Sequence, residues 1–130
     1  SPRPLTFTSP MSTLANCVSL HPYFKVHEGQ LDAFKVLMDR FIAATANEER
    51  VLFYGFTING DEVFCREGYI GAEGILAHLE NVGTILAEGL QISDLARLEI
   101  HGPAEELEKL RAPLAHLPVA WFTYEKGLVR

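Results

Sequence analysis

Two runs rich in β-branched and aromatic residues, Val51 to Ile58 and Val63 to Ile70, stand on either side of Asn59-Gly60-Asp61. An Asn-Gly pair accepts positive φ readily, so the runs are expected to fold back on each other as a hairpin. Nothing else in the chain constrains the fold as much, because the segments flanking this hairpin are both helical by periodicity. Upstream, Leu31, Phe34, Leu37 or Met38, Phe41 and Ile42 recur at steps of three and four residues, the buried stripe of an amphipathic helix. Downstream of Gly71-Ala72-Glu73, a second stripe runs through Ile75, Leu76, Leu79, Val82, Leu86 and Leu90. Gly83 weakens that helix by about 1 kcal/mol relative to Ala, and Gly89 is a place for it to end.

The outer segments alternate with period two. Val18, Leu20, Phe24 and Val26 share one parity, while Ser19, His21, Tyr23, Lys25 and His27 share the other, as in a half-buried strand. Pro22 cannot donate to a ladder, so it is expected at a bulge or an unpaired position. Leu95 to His101 alternates Ala96, Leu98 and Ile100 with Arg97 and Glu99. Gly102-Pro103 then stops the strand, and the proline can open a short acidic helix from Ala104 to Arg111. A last strand is expected from Val119 to Tyr124.

The order is β-α-β-β-α-β with a short helix and a fifth strand appended, the α+β, ferredoxin-like split βαβ arrangement of one antiparallel sheet with helices on one face. Its other face would be bare, yet Val51, Leu52, Phe53, Tyr54 and Phe56 are apolar or aromatic on both parities. A second copy contacting through the same face would cover it, so a homodimer is expected. Residues 1–13, with three prolines and isolated apolar side chains, read as an N-terminal arm, and 14–130 as a single domain.

Composition narrows the partners. A net charge of -6 with no basic cluster argues against nucleic acid. No apolar stretch approaches the roughly 20 residues that cross a bilayer, and no secretion signal is visible, so a soluble cytoplasmic protein is expected. Cys17 and Cys65 form no CxxC pair and read as reduced buried thiols, although adjacent strands would make a disulfide geometrically possible. The five histidines show no HxxH or HxxxH spacing, and neither a phosphate-cradling glycine loop nor a nucleophile elbow is present. Neither a metal nor a cofactor is expected.

Chemistry concentrates where Glu67-Gly68-Tyr69 ends an apolar run shortly before Ala77-His78-Leu79. Glu67 and Tyr69 share a strand parity. His78 borders its helix's apolar stripe, where an imidazole could face a cavity between helix and sheet. The plainer alternatives are a boundary histidine bonded to a carbonyl and a structural carboxylate capping loop amides. Tyr54, Asn81 and Trp121 could add polar and stacking contacts to a flat ligand, or, for the two aromatics, simply fill the core. His21 could reach a pocket or face the subunit interface.

The order of elements, with an acidic-x-aromatic strand end followed by a helix carrying a similarly placed histidine, resembles the antibiotic-biosynthesis-monooxygenase type of dimeric α+β barrel from about Val18 to Tyr124. The resemblance implies the same fold and, for some members, oxidation of polyketide-type phenols or quinols without metal or flavin. On that scheme His78 with Glu67 is the base, Tyr69 a hydrogen-bond donor, and the partner a small planar phenolic molecule. Other members degrade haem through an axial histidine further along the second helix, a position held here by Glu88. A non-catalytic small-molecule binding module on the same scaffold is the rival expectation.

Overall fold

The computed structural model describes residues 15–130, and the arm expected at 1–13 lies outside them. Strands β1 (Cys17–Val26), β2 (Val51–Asn59), β3 (Glu62–Ile70), β4 (Ser93–Gly102) and β5 (Val119–Thr123) and helices α1 (Leu31–Thr45), α2 (Gly71–Gly89) and α3 (Ala104–Arg111) follow the expected order. They build one sheet in the order β2-β3-β1-β4-β5. β1, β3, β2 and β4 are antiparallel, but β5 runs parallel to β4, so the sheet is mixed rather than wholly antiparallel. The physical reason is the crossover through α3, which returns the chain to the same end of the sheet, as a parallel pair requires.

The hairpin closes through a two-residue turn, with Asn59 opposite Glu62 and Gly60 at φ +63°. Pro22 lies in the central strand. The ladder to β3 is interrupted at His21 and Pro22 while Pro22 still faces Leu98 of β4, and a bulge follows between Tyr23 and Phe24. The missing N–H thus falls where no partner asks for it.

Alternation along β1 sends Val18, Leu20, Phe24 and Val26 into the core, where α1 and α2 cover them. The two helices are joined at their outer edge by a bidentate pair, with Arg40 Nη1 and Nη2 each 2.7 Å from a Glu88 carboxylate oxygen. α2 lies unusually close to β3. A Cβ on Gly74 would come within 2.7 Å of the Tyr69 Cβ, so only glycine permits this approach, one helical turn before His78. The opposite face of the sheet carries half-buried Tyr23 and Phe64 and exposed Phe53 and Phe122. No helix among the described residues is long and apolar enough to cross a membrane.

Candidate active site

The site grows from two periodicities meeting. On β3, residues two apart share a face, so Cys65, Glu67 and Tyr69 all point toward the helices. On α2, the stripe through Ile75 and Val82 sets His78 facing the same strand, 2% exposed. The close approach at Gly74 brings the two within bonding distance: His78 Nε2 is 3.2 Å from Glu67 Oε1, and the Tyr69 hydroxyl donates to Glu67 Oε1 at 2.6 Å.

The second ring nitrogen is also occupied. His78 Nδ1 lies 2.9 Å from Glu48 Oε2, and Asn81 donates to the same oxygen at 2.8 Å and to the Ala44 carbonyl at 2.9 Å. The imidazole is therefore clamped between two carboxylates whose side chains are 8% and 3% exposed. Burial by itself pulls the His78 pKa down, but hydrogen bonds and charge from Glu67 and then Glu48 outweigh it and hold the pKa above its ordinary value. This environment favours the imidazolium form of His78. Glu48 Oε1 and the Thr45 hydroxyl are buried without a hydrogen-bond partner.

Glu67 and His78, the middle members of the Tyr69–Glu67–His78–Glu48 chain, line a cavity of about 90 Å³ between sheet and helices. Its polar end is Tyr54, Cys65, Glu67 and His78; the rest is apolar, with Leu20, Phe24, Phe41 and Phe56 among its walls. Burial pushes the Tyr54 and Tyr69 phenols and the Cys65 thiol far above their ordinary values, so all three stay neutral. A buried imidazolium beside a carboxylate can deliver a proton to a bound molecule while the carboxylate takes one up, and the neutral Tyr54 phenol, which lines the cavity, can donate a hydrogen bond to a developing anion.

The residues singled out from the sequence separate in space. Glu67, Tyr69 and His78 come together, and Tyr54 joins them with its ring 5.3 Å from that of His78. Asn81 holds Glu48 rather than lining the cavity. Trp121 packs against the core cluster at the β5 edge with the Arg111 guanidinium 5.0 Å over its ring. His21 is on the opposite face of the sheet, bonded to Ser19 and next to His101. Glu88, at the position that the resemblance reserves for a haem ligand, is in the surface pair with Arg40. Cys17 and Cys65 are free, set apart by register, since Cys17 pairs with Ile70 and Cys65 with Phe56. Sequence reading missed Glu48. It sits in a stretch, Asn47-Glu48-Glu49-Arg50, that looks like a solvated loop, and no local signal marks one of its two glutamates as buried.

A ferredoxin-like α+β sheet holding a buried carboxylate–imidazole chain against an apolar cavity defines the class. MupZ from Pseudomonas fluorescens superposes with a TM-score of 0.86 at 40% identity, over 88% of this chain and 95% of that one. At that identity and coverage the chain belongs to the same family as MupZ, and it shares its fold with antibiotic-biosynthesis-monooxygenase-like proteins. A Chloroflexus aurantiacus protein described as a candidate antibiotic biosynthesis monooxygenase shares the fold at 19% identity and a TM-score of 0.54, over 68% of this chain and 93% of its own. A further structure described as an antibiotic biosynthesis monooxygenase does so at 10% identity and 0.56, over 64% and 92%. No sequence-family model matches the chain, and no curated protein does.

Proposed function

We propose that the protein is an enzyme that moves protons at the polar end of its cavity, and that the reaction is cofactor-independent monooxygenation of a phenolic or quinol-type small molecule. The observation that carries this reading is the buried Tyr69–Glu67–His78–Glu48 chain opening onto apolar walls. A phenol seated there passes its proton to Glu67. The clamped imidazolium keeps the new anion company, and the apolar walls exclude water. The phenolate then reduces dioxygen itself. One oxygen atom becomes a ring carbonyl, the other leaves as water with the two hydrogens the substrate loses, and a phenol becomes a quinone. His78 returns a proton to the departing oxygen.

The cavity volume limits the substrate. Small-molecule sites typically run to roughly 300–1,000 Å³, so about 90 Å³ holds no more than a single ring or a short chain unless the leucines over it move. Measured oxygen uptake with simple hydroquinones, lost in Glu67→Gln, is the expected result. Melting shifts with the same compounds and no oxygen uptake would instead establish the second reading, a non-catalytic binder, which the small and almost wholly apolar cavity favours.

The working form in this proposal is a homodimer joined through the open sheet face, supported by Tyr23, Phe64, Phe53 and Phe122 on that face. A cytoplasmic site is supported by the two free thiols.

A further inference from the structure

We propose that His21, Glu99 and His101 bind one divalent transition-metal ion, zinc by donor preference, away from the cavity on the sheet face that the homodimer proposed above would bring against its partner. The register sets His21 opposite Glu99 and Ser19 opposite His101. Residues two apart on a strand share a face, so β1 and β4 present the three side chains side by side. Their ligand atoms all lie within 4.8 Å of one another. Two imidazoles and one carboxylate are a donor set that zinc takes with a fourth position left open.

The local geometry is close to what an ion needs. His101 Nε2 and Glu99 Oε1 are 2.9 Å apart. Two ligands with bonds of about 2.0–2.1 Å at a tetrahedral ion stand about 3.3 Å apart, so an opening of a few tenths of an ångström admits the metal between them. The surrounding contacts hold the ligands in place. Arg97 binds the other carboxylate oxygen of Glu99, leaving Oε1 for the ion. Ser19 Oγ, 2.7 Å from His21 Nε2, takes up that ring nitrogen, so His21 either turns Nδ1 to the ion or gives up the serine contact on binding it. The Phe122 ring stacks on His101 at 4.5 Å and 14°, and the His21 and His101 rings are 4.3 Å apart. Such outer contacts orient ligands and raise affinity. The expectation of no metal came from spacing along the chain, which is blind to ligands brought together from strands far apart in sequence.

Cobalt(II), titrated into the chelator-stripped full chain, is the probe. One equivalent per chain should give the strong visible bands of a four- or five-coordinate centre. His101→Ala and Glu99→Gln should weaken binding by more than about a hundredfold, beyond the loss that an outer-contact change produces. His27→Ala and His116→Ala, which remove imidazoles elsewhere, should leave it unchanged. Far-ultraviolet circular dichroism checks that each variant is folded, and His21→Asn replaces any that is not. Absence of the bands at one equivalent, or their persistence in a folded Glu99→Gln or His21→Asn protein, would overturn the proposal.

Discussion

His78 shows why a residue's neighbours decide what a substitution at it can report. Removing the imidazole leaves Glu48 and Glu67 buried without their shared counter-charge, and breaking a buried pair this way costs about 3–5 kcal/mol. His78→Ala is therefore expected to lose stability along with activity, and a boundary histidine bonded to one carbonyl would lose far less. His78→Gln, which keeps a donor, is the sharper variant. Its turnover should fall by about two to four orders of magnitude while the protein still melts cooperatively; a folded, fully active His78→Gln enzyme would remove His78 from the mechanism. The raised pKa also has a signed consequence. Stability from charging His78 is complete below the unfolded pKa of about 6.5 and is lost as pH rises through the higher folded value. His21, whose pKa burial lowers, changes stability in the opposite sense in a neighbouring window. The melting temperature of the wild type minus that of His78→Gln should thus decline as pH is raised above about 6.5, and a flat difference would contradict the assignment.

At the scale of elements, the distance between α2 and β3 is set by one side chain that is not there. Gly74→Ala adds helix propensity of about 1 kcal/mol, yet its Cβ meets the Tyr69 Cβ, an atom fixed to the strand that cannot swing away. Overpacking of this kind costs about 1–3 kcal/mol, and the helix must lift, carrying His78 off Glu67. Gly83 in the same helix is the control, with nothing within 4 Å of its would-be Cβ. Denaturant melts should show Gly83→Ala stabilised by about 1 kcal/mol, and Gly74→Ala destabilised with reduced turnover. Equal stabilisation of the two would mean that the close approach is not a constraint. Other helix ends are held from a distance: the Ala72 N–H at the start of α2 donates to Glu106 of α3 at 2.8 Å, and the Ser93 hydroxyl closes its far end on the Gly89 carbonyl at 2.6 Å.

For the whole molecule, the sheet has one face under helices and one face lined with aromatic side chains. Tyr23 and Phe64, with ring centroids 4.7 Å apart, lie near the middle of that open face. A specific interface buries about 800 Å² per partner and concentrates its energy in such central aromatics. Phe64→Glu is therefore expected to convert a dimer into a folded monomer in sedimentation equilibrium. A wild-type chain that sediments at 14.5 kDa would rule out the second copy on this face.

Element order and core parity were legible in the sequence because they depend on local period. The alternation in β1, the two helical stripes and the Asn-Gly turn each report which side chains face inward, whatever they later meet. Glu67, Tyr69 and His78 were legible for the same reason: each sits on the inward side of an element whose period is clear. Pairing across distance carries no such signature. The clamp on His78 depends on Glu48, from a charged loop that looks solvated, and the cluster on the open face joins His21 to Glu99 and His101 only through the β1–β4 register. The parallel course of β5 likewise depends on how α3 crosses the sheet. Periodicity records a residue's own face toward the core, and only the folded chain specifies which partner waits there.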